Sequence, residues 1–198
     1  IDGWVRERAA LNTEDADNLN QRHPYQPAYL FESAIAPLTR FKIAGAIWYQ
    51  GESNAHNIEL HEKLFPALVE SWRKAWGYQF PFYYAQLSSM EVGRETWGHF
   101  RDSQRRFLTA IPHSGMAVTS DVGNRTDVHP TQKMEVGERL ALWALADNYH
   151  QDIVKSGPLL SNLKVANEKM ILSFDHTKAL KTSDGGSVRE IEIAGEDK

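Results

Sequence analysis

The chain has 198 residues, of which 41% are hydrophobic and 11% aromatic, with a formal net charge of −4. That is enough apolar material for a packed domain, and the slight acidity is not the basic footprint of a nucleic-acid binder. No run approaches the roughly 18 apolar residues of a membrane-spanning helix; the absence of cysteine excludes disulfides, thiolate metal sites and a cysteine nucleophile from this chain.

Residues 1–30 are polar and mixed, and read as connecting sequence with a short helix near the start. Tyr29-Leu-Phe-Glu-Ser-Ala-Ile-Ala36 has helix-compatible spacing and should stop at Pro37. Ile43 to Tyr49 is a nearly uncharged apolar run, the pattern of a strand covered on both faces. From His56 to Trp76 the positions Ile58, Leu64, Phe65, Leu68, Val69, Trp72 and Trp76 follow helical spacing. Glu59, Glu62, Lys63, Glu70, Arg73 and Lys74 fill the other face. Pro66 should kink or interrupt this helix, and Gly77 should end it.

Phe80 to Leu87 reads as a second buried strand, Trp97 to Ala110 as a helix, and Gly115 to Thr119 as a third strand. Thr131 to Tyr149 is the clearest helix, with Met134, Leu140, Ala141, Trp143, Ala144 and Leu145 toward the core. Alternating strands and helices imply an α/β fold on a parallel sheet. Past Gly157-Pro158 the texture changes to Leu163-Lys-Val-Ala166, Lys169 to Phe174 and Val188 to Ile193, read as antiparallel strands with a turn at Gly185-Gly186. Two units follow: residues 1–155, the α/β portion, and 156–198, the start of a β-rich module.

Chemistry-bearing residues cluster in two polar segments. Gln50-Gly51-Glu52-Ser53-Asn54 follows the first strand, at the sheet end where α/β enzymes place reacting groups. Gly51 permits close backbone approach, and the amides at 50 and 54 could donate to a developing oxyanion; alternatively Ser53 or Asn54 caps the helix that follows. Ser53 also suits a nucleophile turn. Asp127-Val-His129-Pro130 combines an imidazole with a carboxylate, the general-base half of a hydrolase triad. The competing view is a surface loop whose Asp127 and Thr131 cap the next helix. Glu52 with Asp127 could be a glycosidase pair, and Trp48, Trp97, Tyr83 and Tyr84 could stack on sugars or build the core. His56 and His61 do not have the spacing of a zinc helix, and no phosphate-binding glycine loop occurs. Asn124-Arg-Thr126 fits a glycosylation acceptor.

Ile47-Trp-Tyr-Gln-Gly-Glu-Ser-Asn-Ala55, Phe80-Pro-Phe-Tyr83 with Gln86-Leu87, and Asp127-Val-His-Pro130 with Lys133 together resemble the sialate O-acetylesterase family of SGNH-type serine esterases. The resemblance runs from about Pro27 to the C-terminal end, including Ser173 to His176. It implies an incomplete three-layer α/β/α sheet of the SGNH-hydrolase kind and deacetylation of O-acetylated sugars through an acyl-enzyme, with no metal or organic cofactor. By the same resemblance His129 is the base and Asp127 its orienting carboxylate, with Asp121 a weaker substitute. Gln50 with Gly51 matches the oxyanion-donor block, Asn54 is the second donor, and Glu52 holds the hydrogen-bond network. The family nucleophile stands in a Gly-Gln-Ser-Asn-Met type motif on the first strand. No such motif occurs here, so the serine is expected in a missing N-terminal segment of the same protein. The fragment alone is expected to be nearly inactive, and the full-length protein secreted or periplasmic, with no membrane or nucleic-acid partner. Rival expectations are a self-contained hydrolase using Ser53 and a non-catalytic carbohydrate-binding module.

Overall fold

The computed structural model describes residues 26–91, 96–177, 180–189 and 191–192; the short helix expected near the start lies outside them. The centre is a three-stranded parallel sheet in the order β1 (Ala46–Trp48), β2 (Phe82–Ala85), β3 (Ser114–Ala117). Helix α1 (Ile58–Trp76) connects β1 to β2, α2 (Trp97–Ala110) connects β2 to β3, and α3 (Lys133–Trp143) follows β3. Parallel neighbours require such crossovers, because a tight turn can join only antiparallel strands.

Strand alternation divides the core into two layers. On one face Phe82 and Tyr84 of β2 meet Phe65 and Val69 of α1, Phe107 of α2, and Ile111 just past the end of α2. Tyr83 and Ala85 meet Val136, Leu140 and Trp143 of α3 on the other. All four β2 residues are buried, so this strand is the hydrophobic centre of an α/β/α sandwich. Each fully buried large side chain contributes about 1.5–3 kcal/mol relative to exposure.

Several expectations need correction. β1 is shorter than its apolar run, and its Ile47 is 72% exposed. The strand is therefore not covered on both faces: its partner in the described sheet is β2 alone, and Ile47 points to a surface that no described element packs against. Helix α1 runs unbroken through Pro66. Its buried stripe is His61, Phe65, Val69 and Arg73, while Leu64 is exposed. Arg73 is not a solvent-side charge: its guanidinium donates to the carbonyls of Phe80 at 3.0 Å and Pro112 at 2.8 Å. On α3, Met134 and Ala141 face outward, whereas Val136 is buried. The last turn is π-helical, over Ala144–Asn148. Pro37 does not terminate a helix; it lies in a 3₁₀ turn, Ala36–Arg40, that continues from a π-helical turn, Phe31–Ile35.

Beyond the sandwich, β4 (Leu159–Ala166) and β5 (Lys169–Asp175) form an antiparallel hairpin. Asn167 and Glu168 make its turn with φ of 52° and 58°, the doubly left-handed geometry of a tight hairpin. Gly185 lies in a turn with φ +71°. The strand expected over residues 188–193 is absent at the described positions 188, 189, 191 and 192.

Candidate active site

The carboxyl ends of the three strands open into loops 49–57, 86–91 and 118–132, and the residues singled out above lie on the first and third. In the first loop Gly51 adopts φ +156°, which side chains rarely tolerate, and a Cβ there would meet Leu87 Cδ2 and Phe100 Cε1 at 3.2 Å. The chain thus turns sharply against the core into a single 3₁₀ turn, Glu52–Asn54. The Gln50 amide donates to Asn54 Oδ1 at 2.7 Å. Glu52 Oε2 accepts the Gly51 N–H at 3.0 Å, so that backbone donor is already engaged. Helix α1 is capped by Asn57, whose side chain accepts from the Leu60 N–H. Neither Ser53 nor Asn54 is therefore used in capping. Ser53 is exposed on the turn, and among the described residues no hydrogen bond joins it to His129.

The third loop is ordered by its own polar side chains. Asn124 Oδ1 accepts the N–H groups of Thr126 and Asp127 at 2.9 and 3.1 Å. Asp127 Oδ1 then accepts the His129 N–H at 2.8 Å and faces His129 Nδ1 at 3.2 Å. One carboxylate oxygen fixes both the backbone and the ring of the histidine. With the proton on Nδ1, Nε2 is left with a free lone pair, the state of a general base. The His129 N–H bond holds the Asp127 carboxyl below its ordinary range, helped by the His129 ring and by the charge of Lys133. Pro130 is fully buried beside this exposed pair and anchors the loop. The N-cap of α3 is Gln132, with no side-chain cap bond, so Asp127 and Thr131 do not cap the helix.

Asp121 has a different role. Its two oxygens meet the Arg139 guanidinium at 2.6 Å each, and Arg139 also donates to the Val118 carbonyl. This bidentate pair ties the start of the loop to α3 and leaves Asp127 as the carboxylate at the histidine. A second clasp joins the loop to the segment after β2. The Ser89 hydroxyl donates to the Ser120 carbonyl, the Glu91 N–H donates to the Arg125 carbonyl at 2.9 Å, and the two side chains of Glu91 and Arg125 pair. Gly123 packs so closely on Ser89 that a Cβ would fall 2.1 Å from the Ser89 carbonyl oxygen.

The first loop meets the start of α3 where Lys133 Nζ sits 4.4 Å from the centroid of the Tyr49 ring. Tyr49 leads directly into Gln50, and Lys133 opens α3 just after the histidine loop. The sequence marks Lys133 only as part of a motif and does not single out Arg139, Ser89 or Gly123; nothing in local patterning marks residues whose partners are distant in the chain. Tyr83, Tyr84 and Trp97 are core residues, and Trp48 packs on Phe65, Trp72 and Phe82, so none of the four is an open sugar platform. Among the described residues no group of three or more His, Asp or Glu side chains converges as metal ligands would, and no helix is long and apolar enough to cross a membrane.

Comparison with known proteins adds to this geometry. Residues 14–146 match the family model described as carbohydrate esterase, sialic acid-specific acetylesterase. Sialate O-acetylesterase of Mus musculus is 30% identical over 185 residues, covering 81% of this chain and 34% of the relative. The Homo sapiens protein of the same name is 30% identical over 181 residues, covering 80% and 34%. The chain thus spans about a third of the length of these curated relatives. A crystal structure of a carbohydrate acetylesterase from Xanthomonas citri superposes with a TM-score of 0.81 at 38% identity, over 93% of this chain and 43% of that one.

Proposed function

Because the chain belongs to the sialic acid-specific acetylesterase family of carbohydrate esterases, we propose that it supplies the general base and the oxyanion donors of a sugar O-acetylesterase whose serine nucleophile lies outside these residues. The observation that carries the reading is the Asp127–His129 pair, set on a loop at the same sheet end as Gln50–Asn54.

In the intact enzyme the serine oxygen attacks the acetyl carbonyl while His129 Nε2 takes its proton, and Asp127 steadies the imidazolium. Gln50 keeps one amide hydrogen beyond its bond to Asn54, and the Asn54 amide adds its own; these donors face the developing oxyanion. The Gly51 N–H, held by Glu52, shapes the turn instead. Collapse of the intermediate expels the sugar oxygen, which takes the proton from His129. Water, activated by the same base, then releases acetate. The substrate is an acetyl ester of sialic acid or of a related sugar.

His129→Ala in the full-length polypeptide should lower acetate release from an O-acetylated sugar by about 10²–10⁴-fold. Turnover at the wild-type level would sink the assignment. The 198-residue chain alone should neither turn over a small acetyl ester nor be labelled by a serine-reactive phosphonate; labelling at Ser53 would favour a self-contained hydrolase.

A further inference from the structure

The histidine loop is held on several sides, and one anchor reaches the Gln50 block indirectly, because Leu87 in the segment after β2 stands against Gly51. Arg139 ties it to α3, while Ser89 and Glu91 tie it to the segment after β2. A more direct contact between the two halves of the site is Lys133 on Tyr49. Nζ lies 4.4 Å from the ring centroid, within the roughly 6 Å over which a cation is drawn to an aromatic face. Tyr49 is itself fixed, because its ring packs on the cluster containing Tyr83, Val136 and Trp143. Each partner is near the chemistry: Tyr49 immediately precedes Gln50, and Lys133 begins the helix that follows the His129 loop.

We propose that Lys133 is a positioning residue of the esterase, its ammonium on the Tyr49 face setting the spacing between the His129 base and the Gln50 and Asn54 donors. The inference rests on the esterase reading and adds a part to it. A base and an oxyanion hole must be in register with one reacting carbonyl, and a misplacement of about 1 Å can cost 10²-fold in rate. A contact acting on that register alone affects the transition state more than substrate binding, so its loss appears in kcat rather than KM. Arginine retains a cation for the ring face, and phenylalanine retains the ring; methionine at 133 and leucine at 49 remove one partner each.

The test is steady-state deacetylation by the full-length enzyme with the variants Lys133→Met, Lys133→Arg, Tyr49→Leu, Tyr49→Phe, the double variant Lys133→Met/Tyr49→Leu, and His129→Ala. Thermal midpoints accompany the kinetics. Lys133→Met and Tyr49→Leu should each lower kcat about tenfold with KM within about twofold of wild type. Lys133→Arg and Tyr49→Phe, which keep the cation and the ring, should retain most of the rate. The double variant should be no slower than the slower single one, since both remove the same contact. Wild-type kcat in Lys133→Met overturns the proposal. So does a rise in KM confined to an acetylated sialic acid and absent with a neutral acetylated sugar, which would make Lys133 a contact for the substrate carboxylate. An active His129→Ala enzyme would defeat the esterase reading itself; an inactive one beside an unaffected Lys133→Met defeats only the positioning role.

Discussion

His61 shows how a single side chain can set the acid limit of this fold. It is buried on α1, with its ring centroid 5.6 Å from Phe65, 4.5 Å from Phe100 and 5.5 Å from Phe107. Among the described residues its Nδ1 has no hydrogen-bond partner. Burial disfavours the imidazolium and lowers the pKa from 6.5 to about 4. The folded state thus binds this proton less readily than the unfolded chain does. The neutral ring's stabilising contribution is intact above pH 6.5 and is lost as the pH falls toward 4, at ~1.4 kcal/mol per pH unit across that window. Urea titrations between about pH 7 and pH 4 should show the wild type losing stability faster than His61→Leu. Parallel curves would mean that other groups govern the loss. The helical period does mark this position, since 61, 65, 69 and 73 form one i+4 stripe. Residue type hides it: polarity assigns a histidine and an arginine outward, although Arg73 satisfies its donors on strand-end carbonyls and His61 is buried as the neutral ring.

At the scale of elements, the packed positions are the legible ones. Trp97–Ala110 is a helix over the span that its periodicity indicates, and β2, though only Phe82–Ala85 of the expected Phe80 to Leu87, is buried on both faces as its apolar run implies. Ile43 to Tyr49 has the same texture, yet Ile47 of β1 is exposed. An apolar run reports what a strand can pack against and not what does. The two candidate loops are legible as clusters of polar residues, and the bonds from His129 to Asp127 and from Gln50 to Asn54 are local enough to suspect from spacing. Their long-range supports are not. Gly123 is the sharpest case, since its fit depends on Ser89 from another loop. Gly123→Ala must push the two loops apart, because the new methyl would overlap backbone as well as the Ser89 side chain. Under the proposed esterase reading, with His129 as base, the full-length protein carrying it should lose roughly tenfold or more in kcat. Equilibrium stability should fall by about 1–3 kcal/mol, the usual cost of overpacking. Unchanged kcat would show that the clasp does not set the position of His129.

For the molecule as a whole, cohesion is unevenly distributed. β2 lies between two helical layers, whereas the β4–β5 hairpin carries Leu160, Leu163, Val165, Met170 and Leu172 at 39–66% exposure. The register pairs Leu163 with Leu172, Val165 with Met170 and Leu160 with Phe174. Cross-strand partners share a face, so these six residues make one apolar side of a two-stranded sheet. A hairpin of this size is marginal in water unless a further strand or layer covers it. Opening free energies should therefore differ strongly along the chain. In native-state hydrogen exchange of the 198-residue chain, amides of Phe82–Ala85 should exchange only through global unfolding. Those of Leu159–Ala166 and Lys169–Asp175 should exchange by local opening, orders of magnitude faster and with little denaturant dependence. Protection of the hairpin equal to that of β2 would contradict this picture. If that protection grew with protein concentration, the apolar face would be covered by self-association; if it did not, the hairpin would be stabilised within the single chain.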